Sequence, residues 1–293
     1  MFYNIPNNRD DNLFIFPGNS TTSASAEYIA WTIPSSASYI SMIVIGPGGN
    51  GGLGRADVIG TTKGGGGGGG SGGISKAIFR TRVLPSTLHL SFESNRTTIS
   101  LEPVDTNPAN VRIIYANGGS TGSTATGAAV AAGGSGASPA STSGTGLPPF
   151  ITSALSFSVF GGQAGGGSAG ISPGFMLTGT YCLHGGAAGG STTVAPAYGN
   201  GGNIVSSVDF FPSVAVGTGS AGGRGGDGGH GTWFWKPYLL GLGGGGGGAG
   251  ATLPGRGGNG AYGCGGGGGG SCVTSDPEAY GRGGPGLIIL KCF

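Results

Sequence analysis

Residues 39–52 read YISMIVIGPGGNGG, an apolar run that passes without a break into glycine. Within the run, Ile40, Met42 and Val44 fall on one face of an extended chain, because successive side chains of a strand point to opposite sides. Two further isoleucines add apolar groups to the other face. The run therefore predicts a central, mostly buried strand that leads directly into glycine-rich chain.

Similar strand signals recur from the N-terminus to about Tyr115, with turn pairs such as Pro17-Gly18 between them. They are NLFIF, EYIAWTI, ISKAIFRTRV, STLHLSF, RTTISLEPV and VRIIYA. The last seven residues, LIILKCF, have the same character, and the simplest topology returns them to the N-terminal sheet. No stretch shows a helical period with caps, so we predict an all-β protein with almost no α-helix.

Glycine dominates the rest of the chain. It makes up 73 of 293 residues, whereas an ordinary protein contains about 7% glycine. Long glycine runs lie at 64–70, 243–248 and 265–270, and short Gly, Ala, Ser and Thr segments fill much of the chain from 117 to 286. Collagen is excluded because it needs a strict Gly-X-Y period with much proline.

Two interpretations of these tracts remain open. A flexible linker is typical of Gly/Ser chain, yet the tracts are far longer than a linker needs and bulky apolar islands interrupt them. The favoured alternative is a bundle of extended helices with three residues per turn, whose outward N–H and C=O groups bond to neighbouring helices. Because ordering glycine costs at least ~1–2 kcal/mol per residue, only a dense set of shared hydrogen bonds could stabilise such a bundle.

The bulky islands supply the candidate binding residues. They lie at 148–160, 174–184, 203–216 and 232–242, and aromatic side chains are favoured at recognition sites because they bury much area at little entropic cost. An equally weighted interpretation is a hydrophobic plug against the sandwich or another subunit. The candidates are Trp233, Phe234, Trp235, Tyr238, Phe210, Phe211, Phe175 and Tyr181.

A resemblance to known proteins rests on the order of these segments. WTIP and YISMIVIGPGGNGG (Trp31 to Gly52) are followed by GGISKAIFRTRVLPSTLHLSF, long glycine tracts, GCGGGGGGSC and a closing GRGGPGLIILKCF. This order resembles the glycine-rich domain of bacteriophage tail and virion proteins, and it is similar to the extracellular glycine-rich domain of the anaplastic lymphoma kinase receptor family. The receptor version has a signal peptide and a membrane span, and neither is recognisable here, which favours the viral family.

The resemblance implies a fold. In those families a tumour-necrosis-factor-like β-sandwich is fused to a bundle of polyglycine II helices, and related tail-fibre tip adhesins hold receptor-binding loops at the ends of the bundle. For this chain it implies a jelly-roll-like sandwich over 28–116 that is completed by 287–293. The segment 1–27, which precedes the resemblance, is interpreted as an N-terminal attachment arm. The glycine-rich insertion would occupy 117–286.

Motifs that would carry enzymatic chemistry are weak. Residues 46–51, GPGGNG, match the dinucleotide pattern G-x-G-x-x-G, but the glycine-rich sequence that follows cannot open the helix that such a site requires. No glycine run ends in G-K-[ST], so no phosphate-binding loop is predicted. Because no nucleophile, base and acid can be grouped, we expect a protein that is not an enzyme and uses no cofactor.

Cysteine and histidine are sparse. Cys182 and His184 are two residues apart and could begin a metal site, but Cys264 and Cys272 are too far apart for a zinc knuckle. Small apolar filling beside glycine is the favoured role of the cysteines, and a disulfide between Cys264 and Cys272 is the alternative. No metal site is predicted.

The charge pattern argues against nucleic acid as a partner. The chain has 13 Lys and Arg against 11 Asp and Glu, a net charge of +2. Arg224, Arg256 and Arg282 each precede Gly-Gly, as in RNA-binding tails, but such tails use many closely spaced arginines. Arginines at the rim of a glycine bundle, bonding carbonyls or pairing with Asp227, are favoured, and RNA binding remains a third functional alternative.

Together these features predict a phage protein on the virion surface, made in the host cytoplasm. The favoured function is an adhesin of a tail fibre, tail tip or spike, whose partners are a host-surface receptor and other virion proteins. The alternative is a capsid decoration or minor structural subunit without receptor contact. No membrane-spanning segment is predicted, and self-association into a homo-oligomer is left open.

Overall fold

The computed structural model describes residues 12–18, 27–58, 60–103, 111–128, 131–137, 158–160, 181–193, 197–204, 214, 217–221, 223–234, 239–273 and 280–293. Their regular structure consists of β-strands and one turn of 3-10 helix at Thr81–Val83. The strands are β1 Leu13–Pro17, β2 Glu27–Thr32, β3 Tyr39–Ile45, β4 Ile74–Arg80, β5 Thr87–Glu93, β6 Arg96–Ser100, β7 Arg112–Asn117, β8 Ser158–Phe160, β9 Tyr181–Leu183, β10 Trp233–Phe234, β11 Leu239–Gly241 and β12 Leu287–Cys292. The prediction of an all-β fold is confirmed.

Two antiparallel sheets organise the strands. A five-stranded sheet has the order β1-β12-β3-β4-β8, and a four-stranded sheet has the order β2-β5-β6-β7. The C-terminal strand β12 lies between β1 and β3, with Ile288 opposite Val44. The predicted return of the last residues to the N-terminal sheet is therefore confirmed.

The main core fills the space between these sheets. Ile40, Met42 and Val44 point into it from β3, and Leu90 and Ile99 meet them from the four-stranded sheet, all fully buried. Burying an aliphatic side chain of this size stabilises the fold by about 1.5–3 kcal/mol. This arrangement is that of a β-sandwich, with the predicted face of the YISMIVI strand inside.

A second, smaller core lies on the other face of the five-stranded sheet. Ile45, Leu287 and Ile289 pack there against Leu183 and Cys264, which come from the glycine-rich part of the chain. Both faces of β3 are therefore covered, which explains why its apolar residues do not alternate with polar ones.

The N-terminal boundary differs from the expectation. Within the segment 1–27, interpreted as an attachment arm, Leu13–Pro17 forms an edge strand paired with β12. Phe14 and Phe16 lie edge-on to Trp31, with ring centroids 5.1 and 6.4 Å away. These aromatic contacts tie β1 to the sandwich core, so an arm beginning at residue 1 cannot extend to residue 27.

Glycine-rich segments bond to one another with a period of three residues. The N–H groups of Gly67 and Gly70 donate to Ser123 O and Ser120 O at 3.0 and 2.9 Å. Residues in the next phase of the same segment bond a different neighbour, Gly66 to Gly269 O at 2.9 Å and Gly69 to Gly266 O at 2.8 Å. A period of three is that of an extended helix with three residues per turn.

We call these laterally bonded segments the glycine lattice. They cover residues 46–55, 64–73, 117–128, 131–137, 184–193, 197–204, 217–221, 223–232, 242–250, 254–261, 263–273 and 280–286. The segments at 46–55 and 64–73 were grouped by sequence with the sandwich range 28–116. Their hydrogen bonds run to segments from 117–286, so the lattice draws on chain from both sides of residue 117.

Glycine is required in the lattice because the neighbouring backbone occupies the place of a side chain. A Cβ on Gly68 would lie 2.0 Å from Gly186 O, and one on Gly51 would lie 2.0 Å from Gly267 O. Real Cβ atoms do not approach that closely, so even alanine would push two segments apart.

The lattice has two ends, which differ in what they touch. At one, the sheet end, Gly46 follows β3, Gly73 precedes β4 and Gly286 precedes β12. At the other, the far end, segments turn back on themselves between 55 and 64 and between 250 and 254. At the ~3.1 Å rise per residue of an extended three-residue helix, a segment as long as Gly46 to Arg55 spans roughly 28 Å.

Replacing Gly68 with alanine tests this packing. Gly68→Ala should lower the free energy of unfolding by about 3 kcal/mol or more, because the new methyl group overlaps the Gly186 carbonyl. Gly223→Ala is the matched control, since a Cβ there meets nothing within 4 Å, and it should stay within about 1 kcal/mol of the wild type. Urea denaturation of both variants measures the difference, and equal stability of the two would contradict a close-packed lattice.

Candidate functional site

The predicted aromatic island around Trp233 lies at the sheet end of the lattice. Trp233 begins β10, which pairs with β11 and through it with β9 in a small three-stranded sheet. Its half-buried ring packs on the second core and meets Tyr262 edge-on, with centroids 6.1 Å apart. For Trp233 this geometry matches the hydrophobic-plug interpretation.

The small sheet brings two of the sequence islands together. Leu240 of the island 232–242 lies between Phe234 and Cys182 in the strand register. On the β9 side, Leu239 pairs with Tyr181, and these two strands run parallel. The backbones of Phe234 and Tyr181 therefore lie on opposite sides of β11, at the same end of the lattice as Trp233.

The remaining candidate side chains lie outside the described part of the chain. This applies to the whole of the residues Trp235, Tyr238, Phe210, Phe211 and Phe175, and to the side chains of Phe234 and Tyr181. Their proposed contact with a receptor or partner stays a prediction.

A loop at the far end presents apolar and charged groups that the sequence interpretation did not select. Val58 is 67% exposed, and its N–H donates to Asp57 Oδ1 at 2.8 Å. This backbone hydrogen bond, followed by the attraction of Arg55, holds the pKa of Asp57 below its usual value despite some desolvation. Arg55 also forms an ion pair with Asp57. This ion pair stabilises the turn immediately before Val58.

Buried polar groups anchor the same loop to the lattice. Lys63 is fully buried, and its Nζ donates to Thr61 O at 2.9 Å. Its backbone exchanges two hydrogen bonds with Thr192, at 2.8 and 2.9 Å. The Thr192 hydroxyl in turn bonds the Ser271 hydroxyl at 2.8 Å. These hydrogen bonds hold the backbone of the described far-end segments in place. Val58 and the 37% exposed Leu253 present their side chains to solvent there.

Only a weak sequence signal could have identified this surface. At these two turns the glycine segments give way to other residue types, namely RADV at 55–58 and ATLP at 251–254. These two turns lack the aromatic residues that usually mark recognition sites. The sequence therefore favoured the larger aromatic islands as candidate binding residues.

The arginine at the lattice rim behaves as the sequence suggested. Arg224 Nη2 lies 3.0 Å from Asp227 Oδ1, and the same carboxylate oxygen accepts the Arg256 N–H at 2.8 Å. Both groups are exposed, so the ion pair contributes little stability. The prediction that an arginine at the rim pairs with Asp227 is confirmed for Arg224.

Cysteine and histidine form no clustered site in the described residues. Cys264, Cys272 and Cys292 are buried thiols that form no disulfide, so the alternative of a Cys264–Cys272 disulfide is not realised. No group of three or more metal-ligating side chains occurs within the same described ranges. His184 is fully buried at the sheet end, where desolvation lowers its pKa from 6.5 to about 4.

Comparison with known proteins adds no relative. No family model matches the chain, and no curated protein matches it. Across the described ranges, no helix has the length and apolar character to cross a membrane. A functional assignment therefore depends on the geometry above and on the resemblance carried by the sequence.

The packing of Trp233 can be tested by truncation. Trp233→Ala should lower the free energy of unfolding by about 2–3 kcal/mol, because it empties part of the second core. Tyr280→Ala, at a 37% exposed ring, is the control and should have a much smaller effect. Thermal unfolding of both variants measures this, and a Trp233→Ala protein as stable as the wild type would rule out the plug interpretation.

Burial of His184 makes stability depend on pH. Its pKa is lower in the folded state, about 4, than the 6.5 of a solvated histidine, so the unfolded chain binds the proton more tightly. The corresponding stability is fully present above pH 6.5 and is lost as the pH falls towards 4, by about 3 kcal/mol at most.

Urea unfolding between pH 7 and pH 4 should reveal this loss. His184→Gln removes the titrating group and should flatten the curve over that interval relative to the wild type. An unchanged slope in the variant would show that other groups cause the acid sensitivity.

Proposed function

We propose that this chain is a bacteriophage virion surface protein, an adhesin of a tail fibre, tail tip or spike. In this proposal the glycine lattice is a stiff platform, the far-end loops contact the host receptor, and the sheet end faces the virion. The sequence resemblance to glycine-rich phage tail and virion proteins supports the viral context.

The observation that carries the proposal is the position of the far-end loops. Their bases are held by backbone hydrogen bonds and by the buried groups of Lys63 and Thr192. The described strands at both chain ends, β1 and β12, pair with each other at the opposite end. Loops fixed on a rigid scaffold lose little conformational entropy on binding, which favours affinity.

The attachment segment is proposed to precede β1. Leu13, the first residue of β1, pairs with Lys291, whereas Pro17 pairs with Leu287 beside the lattice. A segment that precedes Leu13 and docks onto the fibre or another virion protein would therefore attach on the sandwich side of the molecule. The far-end loops would then point away from the virion. Receptor contact by the aromatic islands at the sheet end is a competing arrangement within the same function.

Binding of the purified protein to cells of the bacterial host tests the proposal. Val58→Ser combined with Leu253→Ser changes two exposed far-end side chains and should weaken cell binding by about tenfold, because both apolar contacts are lost. The matched control combines Val83→Ser and Phe293→Ser, which alter exposed apolar groups of the sandwich, and it should bind like the wild type.

A second pair separates the two arrangements. Trp235→Ser with Tyr238→Ser should leave cell binding unchanged if the far end holds the receptor site. If that pair alone abolishes binding, the aromatic island is the contact surface instead. A wild-type protein that assembles into particles and never binds cells would establish the alternative function, a capsid decoration or structural subunit.

A further inference from the structure

Four neighbouring segments form one side of the glycine lattice. In the order in which they lie side by side, they are 223–232, 254–261, 280–286 and 46–55. Backbone hydrogen bonds of 2.7–2.9 Å join each pair of neighbours, for example Gly260 N–H to Arg282 O at 2.8 Å. Within 224–230 and 253–259 every third residue is exposed, as a helix with three residues per turn requires. Side chains on this side therefore stand in rows that cross the segments.

In one of these rows, side chains accept backbone N–H groups from the next segment. His230 Nδ1 accepts the Asn259 N–H at 2.9 Å, and Asn259 Oδ1 accepts the Arg282 N–H at 2.9 Å. From the other direction, Asn50 Oδ1 accepts the Gly283 N–H at 2.9 Å. The four segments are thus linked at one level by side-chain acceptors.

These hydrogen bonds leave only donors on the exposed side of the row. An imidazole that accepts at Nδ1 carries its proton on Nε2, and a carboxamide whose oxygen accepts directs its NH2 group elsewhere. A guanidinium has five N–H donors and no acceptor. His230, Asn259 and Arg282 are exposed, and Asn50 is half-buried. We call these four residues the donor row.

Positive charge is sparse on this side of the lattice. The segments 223–232, 254–261 and 280–286 contain three arginines and one aspartate. That aspartate, Asp227, already accepts hydrogen bonds from Arg224 Nη2 and the Arg256 N–H, at 3.0 and 2.8 Å. Hydrogen-bonded extended chains lie about 4.8 Å apart, so the donor row spans roughly 15 Å. Arg282 is its one guanidinium.

A fitting ligand supplies one oxyanion with neutral acceptors on either side of it. A guanidinium binds a carboxylate through two parallel hydrogen bonds, and the flanking amide groups suit carbonyl or hydroxyl oxygens. Nucleic acid matches less well, because its dense negative charge calls for many cations and its bases for aromatic rings. The donor row contains no aromatic side chain apart from the imidazole of His230.

We propose that the donor row binds a polysaccharide in which a carboxylate sugar alternates with a neutral acetamido sugar. The carboxylate accepts from the Arg282 guanidinium, and oxygens of the adjoining sugars accept from the amide groups of Asn259 and Asn50. This activity goes beyond the receptor contact at the far end and does not depend on it, because the row lies along the side of the lattice.

The probe for the experiment is hyaluronate, immobilised and presented to the full chain at low salt. Arg282→Gln removes the charge and keeps the backbone N–H that Asn259 accepts, so it should weaken binding about tenfold, the loss expected for one charge-assisted contact. Arg82→Gln is the matched control, because Arg82 is an exposed arginine of the sandwich. It should bind like the wild type.

Asn259→Asp separates ligand binding from the structural role of the side chain. It keeps the Oδ1 acceptor and replaces the outward amide donor with a carboxylate oxygen. The melting temperature should therefore stay within about 3 °C of the wild type, whereas hyaluronate binding should fall at least tenfold. Asn200→Asp is its control, because Asn200 Oδ1 accepts the Gly219 N–H in the same way, at 2.8 Å, on a segment outside the four. It should keep both properties.

Three results would overturn the inference. The first is equal binding of uncharged dextran, which would show that the oxyanion plays no part. The second is an equal loss of hyaluronate binding in Arg282→Gln and Arg82→Gln, or no loss in either, which would leave the donor row without a specific role. The third is tighter binding of polyuridylate than of hyaluronate, which would assign the surface to single-stranded RNA.

Discussion

Backbone hydrogen bonding between glycine segments is the interaction on which the rest of this structure depends. Each ordered glycine loses more conformational freedom than any other residue, at least ~1–2 kcal/mol. The lattice offsets this cost because successive N–H groups of one segment find acceptors on different neighbours, most within 2.7–3.0 Å. A side chain at Gly68 or Gly51 would occupy the position of a neighbour's carbonyl. Glycine is therefore required for this packing, although it is the residue whose ordering costs the most.

The lattice and the sandwich stabilise each other at a shared boundary. Gly46 follows β3 directly, and its N–H donates to Gly73 O at 2.9 Å, which continues the β3–β4 pairing into glycine. Beyond this boundary, Leu183, Cys264 and Trp233 cover the face of the five-stranded sheet that the sandwich leaves open. An isolated glycine bundle would have no apolar core, and an isolated five-stranded sheet would expose one apolar face. Each part therefore supplies what the other lacks.

This division of labour separates scaffold from working surface. Glycine offers no side chain for recognition, so contacts must come from residues that interrupt it or from the sheets. The far-end loops are such a place. Their charged groups are held by a rigid backbone, as Arg55 and Asp57 are at a lattice turn.

The sequence alone determined the β-class of the protein and the burial of β3, because short apolar runs rich in β-branched residues are a local property of the chain. It also predicted β12 in the sheet, since the simplest topology returns a strand-like C-terminal segment to the N-terminal strands. It did not determine that Leu13–Pro17 joins that sheet, that residues 46–73 share a lattice with chain from beyond residue 117, or that Trp233 is packed inward. Glycine runs are alike, so their local sequence specifies no neighbour. Only the tertiary register of hydrogen bonds decided which segments meet and which ends face solvent.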